Sequence, residues 1–186
     1  MVTQTRVSDE AFRRVALRDP DGHWELHHGQ LREKPPMSLS HNWLMVKLGY
    51  LLLQQLDWRT YQVRINAGHV HSSHGTYYIP DLFVVPTALG HDLEGRSDIL
   101  ESYDAPLPLV VEVWSPSTGG YDIDAKLPAY QARGDQEIWR VHPYERTVTV
   151  WIRQADGMYR ESVHREGAIR LAALPHVAIA LEELFD

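Results

Sequence analysis

Two carboxylates stand inside apolar, strand-like runs of this chain. Asp81 lies in Ile79-Pro80-Asp81-Leu82-Phe83-Val84-Val85 and Glu112 in Leu109-Val110-Val111-Glu112-Val113-Trp114. The run 107–114 is apolar on both alternating faces, the mark of a strand covered on both sides. Such a strand has little reason to carry a charge, because an ionised carboxylate taken out of water is costly unless something neutralises it. Pro80 has no N–H to donate, so a strand there starts, bends or lies at an edge, and Asp81 falls at its mouth. The connection between the two runs can bring the strands side by side. Converging carboxylates suit a hard divalent cation, and magnesium usually takes one or two carboxylates, retained waters and phosphate oxygens. Lys126 follows in the next helix, within plausible reach of the strand end, and a cation beside the pair would complete a phosphodiesterase site. A plainer reading competes. Each carboxylate then marks a strand end in solvent, and Lys126 makes an i,i+4 ion pair with Asp122 worth only ~0.3–0.5 kcal/mol.

With 186 residues, one domain spanning 1–186 and a sizeable core are expected. The absence of cysteine excludes a disulfide framework and suits a reducing cytoplasm. The purely apolar stretches reach around six residues, far short of the ~20 of a membrane span. The N-terminal region carries Arg6, Asp9, Glu10, Arg13 and Arg14 with no apolar signal core. A net charge of -7 speaks against a generic nucleic-acid binder with a broad basic surface, and leaves room for a local basic cleft.

The order of elements follows from periodicity and turn chemistry. Residues 9–18 form a short helix ended by Asp19-Pro20-Asp21-Gly22. A hairpin runs from Trp24 to Glu33 through His28-Gly29 and stops at Pro35-Pro36. Ser38 or Ser40 caps a helix over about 40–57, whose Leu44, Leu48, Leu51 and Leu52 fall near helical spacing. Trp43, Met45 and Leu53 widen its apolar surface, so that helix should be largely buried. Strands follow at 61–65, at 68–71 and from Pro80. Residues 86–106 read as a polar surface loop. After the strand 107–114, a helix over 120–133 ends at Gly134, with Pro128 inside it able to kink it or mark a late start. Strands at 138–141, 147–152 and 159–163, the latter two joined by Asp156-Gly157, and a short helix at 181–185 complete an α/β or α+β domain with a mixed sheet.

Other residues compete as sites. His69, His71 and His74 could bind a transition metal, since 69 and 71 share a strand face, but no nearby acid or cysteine completes the set. An exposed polar loop or strand face is the plainer account of them. His41 could move a proton near the carboxylates, or simply be a satisfied histidine. The six tryptophans read as core rather than as a base-stacking platform. No Gly-rich phosphate loop, nucleophile elbow or zinc-finger spacing occurs.

Several segments together resemble one family. They are WELHHGQL at 24–31, SLSHNWL at 38–44, IPDLFVVP at 79–86, LVVEVWSPST at 109–118, YDIDAKLPAYQARGDQEIWRVHP at 121–143 and RTVTVW at 146–151. Their order and spacing are similar to the Uma-type family of bacterial proteins classed as endonucleases, within the PD-(D/E)XK superfamily. The resemblance implies a restriction-endonuclease-like fold, a central mixed β-sheet flanked by helices. It implies Asp81 and Glu112 as ligands of Mg2+ or Mn2+ and Lys126 as the catalytic lysine, with Glu25, His41, Asp122 and Tyr130 as accessory positions. DNA is then the substrate, and a homodimer is expected because double-strand cutters often work in pairs. The chain departs from the superfamily pattern at Trp114, where a lysine is common. It departs from the family at His28 and Gln30, where acids are usual, and at Ile138 and His142. The rival implication is a catalytically inactive nuclease fold that binds nucleic acid or a protein.

Overall fold

The computed structural model of the protein describes residues 6–19, 21–73 and 75–186. Helix α1 (Asp9–Arg18) starts at Ser8, whose hydroxyl accepts the Ala11 N–H, and carries Asp9 and Glu10 against the positive end of its dipole. Asp19 and Gly22 close the expected turn with a 3.1 Å hydrogen bond, while Pro20 lies outside the described residues. Strands β1 (Trp24–His27) and β2 (Gln30–Glu33) form the hairpin. His28 and Gly29 both take positive φ, 49° and 81°, as a two-residue turn of primed type requires.

Helix α2 (Leu39–Leu53) is capped by Ser38 and ends earlier than expected. Leu44, Met45, Leu48, Leu51 and Leu52 are buried, but Leu39, Trp43, Val46, Tyr50 and Leu53 are exposed. The expectation of a largely buried helix is thereby corrected: half of its apolar surface faces outward. The tryptophans divide likewise. Trp139 and Trp151 are core, Trp24 and Trp114 are half-buried, and Trp43 and Trp58 are exposed.

Strands β3 (Tyr61–Ile65), β4 (His69–Ser73), β5 (Thr76–Tyr78) and β6 (Leu82–Pro86) follow. The segment expected to be a loop contains a 3-10 stretch at Thr87–Leu93 and a two-residue strand β7 (Ser102–Tyr103) whose Tyr103 is buried. Strand β8 (Leu109–Val113) is buried throughout. The next helix is composite: α3 (Gly119–Tyr121), a π-helical turn at Asp122–Lys126, and α4 (Leu127–Arg133). Pro128 explains the irregular turn. It cannot donate the helical hydrogen bond, and the ladder widens just before it so that the Leu127 N–H reaches back to Asp122 O. Gly134 ends the helix at φ 82°, the left-handed cap. Strands β9 (Glu137–His142), β10 (Thr147–Arg153), β11 (Tyr159–His164), β12 (Ala168–Arg170) and β13 (Ala178–Ala180) and helix α5 (Leu181–Phe185) complete the chain.

The sheet order β11-β10-β9-β8-β6-β3 is mixed. Only β8 and β9 run parallel in it, and a parallel pair needs a crossover, here the composite helix. A second sheet, β2-β1-β5-β4-β7, lies beside it, and β12 pairs with β13. Period-2 parity sorts the central strands into two cores. Leu82, Val84, Leu109, Val111 and Val113 face α2 and α5. Phe83, Val85 and Val110 face the other way, towards Tyr130, Val70, Tyr78 and Tyr103. Asp81 and Glu112 share the parity of this second face. The register Leu82↔Val111 puts them opposite one another at the end of the pair, and directly opposed residues point to one side.

Leu109 is fully buried on the face of β8 that α2 and α5 cover. Leu109→Ala should cost about 3 kcal/mol of stability in urea unfolding, the range for a buried leucine whose neighbours cannot collapse.

Candidate active site

Three elements deliver the centre of the site. Asp81, at the entrance to β6, accepts the Val113 N–H of β8 at Oδ2 (2.7 Å). The same oxygen lies 2.9 Å from His41 Nε2, on the first turn of α2. Its Oδ1 stands 2.7 Å from Lys34 Nζ, an ion pair without the alignment of a hydrogen bond. Glu112 on β8 accepts the Tyr130 hydroxyl from α4 at 2.5 Å. Lys126, in the π-helical turn, points inward: its Nζ lies 2.9 Å from Glu25 Oε1, 3.3 Å from Glu112 Oε1 and 4.0 Å from Asp122 Oδ1. The simple pair with Asp122 is thus the longest of its three ion pairs. Glu25 comes from the second sheet, where it also accepts the Ile79 N–H at 2.9 Å.

Asp81, Glu112, Lys126, His41 and Asp122 line one cavity with Lys34, Pro35, Pro36, Met37, Ser115 and Thr118. The space left is ≈ 10 Å³, room for about one water molecule or cation and not for a nucleotide. Glu25 and Tyr130 stand behind this lining, holding Lys126 and Glu112. Beside it opens a wider cavity of ≈ 510 Å³, lined by His23, Glu33, Asn42 and Asn66 and sharing Lys34 to Met37.

Lys34 is the residue that sequence reasoning missed. It ends the first hairpin, where a charge normally faces solvent. Here Asn66 Oδ1 (2.9 Å) and Ile79 O (3.0 Å) accept from its ammonium and fix it against Asp81. The two prolines that follow it are the only local hint. His69 lies on a strand as expected but is not exposed: it is buried, with its ring nitrogens 3.0 Å from Trp24 O and 3.3 Å from Glu101 O. His71 is held 2.6 Å from Asp104 Oδ1, and His74 lies outside the described residues.

The electrostatics of the two central carboxylates differ. Burial alone would raise the Asp81 carboxyl, but Lys34 and the bond from His41 hold it well below the usual carboxylate range. Burial pushes Glu112 up to about 8, with Asp81 and Asp122 adding to the rise and Lys126 opposing it. Burial also raises Asp122 to about 6. The Lys126 ammonium is favoured well above its ordinary range: burial works against its charge, but Glu112, Glu25, Asp122 and Asp81 outweigh it.

A divalent cation fits this donor set. With every carboxyl ionised, the four acids Glu25, Asp81, Glu112 and Asp122 face two ammonium groups, leaving two negative charges unmatched. Asp122 Oδ1 is buried with no hydrogen-bond partner and lines the cavity. The donors are carboxylate oxygens, as hard cations prefer. Among the described residues no three acidic or histidine side chains form a cage for a metal, so the protein would supply few ligands and leave the rest to water and phosphate.

A family model described as Uma2, "Putative restriction endonuclease", matches residues 9–182. The chain belongs to the Uma2 family. No curated protein matches its sequence. Among solved structures it is similar to an Anabaena variabilis protein titled "a putative nuclease belonging to DUF820". Identity is 16%, coverage 87% of this chain and 89% of that one, and the TM-score 0.70, which shows a shared fold. This Uma2 protein therefore has the expected restriction-endonuclease-like fold, with mixed sheets flanked by helices. No helix among its described residues is long and apolar enough to cross a membrane.

The Glu112 carboxyl makes stability depend on pH. Its value rises from an ordinary 4.5 to about 8 on folding, so between these limits the folded state keeps a proton that the unfolded chain has lost. The resulting stabilisation is complete below the lower value and is lost as pH rises through the upper one. Metal-free protein should lose up to roughly 1.4 kcal/mol per pH unit across that window, and Glu112→Gln should flatten the slope. Urea unfolding across the window checks this, and an identical slope in the variant would refute the assignment.

Proposed function

We propose that this protein is a metal-dependent endonuclease that hydrolyses phosphodiester bonds in DNA, acting in the cytoplasm. The observation that carries the reading is the convergence of Asp81, Glu112 and Lys126, from adjacent strands and the crossover helix, on one small acidic cavity. Asp81 and Glu112 would hold Mg2+ or Mn2+, with Asp122 the nearest reserve of carboxylate oxygen. When bound, the ion supplies charge neutralisation at the scissile phosphate and a more acidic water.

The chain's own groups do the rest. His41 and the Val113 N–H fix the Asp81 carboxylate. Tyr130 holds Glu112 through one carboxyl oxygen. Lys126, anchored by Glu25, places a positive charge beside Glu112, where it would stabilise the charge building on phosphate oxygens. The wider cavity past Lys34 and Pro35–Met37 is the approach for the DNA backbone. Its lining holds Lys34 and His23 beside Glu33, so phosphate would be drawn in by few charges. Cutting both strands would take a homodimer.

The test is nicking of plasmid and single-stranded DNA with magnesium or manganese. Asp81→Ala and Glu112→Ala should each abolish metal-dependent cleavage with the fold intact, and should weaken metal binding in calorimetry. Lys126→Ala should keep metal binding and lose at least ~100-fold in turnover, the scale of one lost electrostatic contact. Cleavage that survives in both carboxylate variants would sink the proposal.

One observation favours the rival reading of an inactive nuclease fold that binds nucleic acid or a protein: the Lys34 ammonium already sits on Asp81 Oδ1. If that contact excludes metal, wild-type protein should show no calorimetric binding of Mn2+ while Lys34→Met does.

A further inference from the structure

Helix α2 carries apolar residues on its outer as well as its inner side, and the outer side is open. Leu39, Trp43, Val46, Tyr50 and Leu53 succeed one another in steps of four, three, four and three, and are exposed by 87, 57, 55, 58 and 51%. These are the steps of an a/d seam, along which one helix packs on another. A helix that meets solvent carries polar residues on that side, and one that is apolar everywhere is buried everywhere. The inner side is already committed to the core through Leu44, Leu48, Leu51 and Leu52.

We infer that the outer face of α2 is covered by α2 of a second copy of this chain, in an antiparallel pair whose two-fold axis passes by Val46. The stripe is self-complementary on reversal: Leu39 meets Leu53, Trp43 meets Tyr50, and Val46 meets its own counterpart. The small residue falls at the crossing point, where it lets the axes close to ~8–10 Å, and the aromatic rings flank it. Charge permits the pairing, because the only Lys, Arg, Asp or Glu in α2 is Lys47, whose ammonium lies over the Trp43 ring, 5.9 Å from its centre. Reversal also sets opposite ends of the two helix dipoles side by side. The five side chains expose roughly 600 Å², the greater part of the ~800 Å² per partner in a standard interface. The assembly is independent of the nuclease reading, since it needs neither metal nor DNA.

Sedimentation of the wild-type protein at about 50 μM should show a dimer, and Trp43→Glu should raise its dissociation constant by more than ~30-fold, the loss expected of one central aromatic. Tyr50→Glu should act alike. Both positions are solvent-facing within one copy, so the far-UV circular dichroism should be unchanged. The chain has no cysteine, which makes each introduced thiol unique. Val46→Cys should cross-link to itself on oxidation, and Leu39→Cys mixed with Leu53→Cys should cross-link as a pair. Leu39→Cys alone should not, because antiparallel copies hold those positions about 20 Å apart. A wild-type monomer, a dimer unaffected by both glutamate substitutions, or self-cross-linking of Leu39→Cys would each overturn the inference.

Discussion

The dehydrated ammonium of Lys126 is the contact on which the arrangement of this protein turns. Stripped of water, such a group costs several kcal/mol unless its surroundings return the lost interactions. Glu25 from the second sheet, Glu112 from the central strand, Asp122 from the same helix and Ile79 O from the approach to β6 do so together. Each partner belongs to a different stretch of chain, so the requirement to neutralise one charge fixes how the two sheets and the crossover helix meet. Loss of one acid leaves the ammonium its other partners, whereas an apolar group at position 126 would strand the carboxylates.

The same cavity keeps its two central acids in opposite conditions. Asp81 accepts from a backbone amide and faces Lys34 and His41, so it stays ionised. Glu112 has a phenol and a shared ammonium for company, and favours its proton. Environments that drive two carboxyls apart in this way are how a single pocket assigns distinct tasks to chemically similar groups. Asp81 is a standing negative site, and Glu112 becomes one when a cation compensates it.

Much of this was readable beforehand because the signals are local. A charge within Leu109–Trp114 violates the apolar pattern of a covered strand, and parity along 81–85 and 109–113 sends both acids to one face. Gly134 announces a helix end through the backbone it permits. Strands β5, β7, β12 and β13 went unread since two or three residues are too few to establish a period. Lys34 was missed for a different reason. Its neighbours Asn66, Ile79 and Asp81 come together only in the folded chain, and beside it in sequence only Pro35-Pro36 hints that it is fixed. Helix α2 shows the limit of hydropathy itself, which registers apolar side chains without telling which surface will meet them.

The π-helical turn at Asp122–Lys126 has a consequence for the phase of the crossover helix. One additional residue per turn shifts everything beyond it by about 100° relative to a regular helix. A wheel drawn continuously through 119–133 therefore misplaces Tyr121, which precedes the turn, relative to Lys126 at its end, whereas Lys126 and Tyr130, four residues apart, keep one face and both attend Glu112. The proline that forces the wider turn thus sets the angular offset between the Tyr121 ring and the Lys126 ammonium. A helix straightened at this point would set Tyr121 and Lys126 about 140° apart and part the ring from the ammonium that now lies 6.0 Å from its centre.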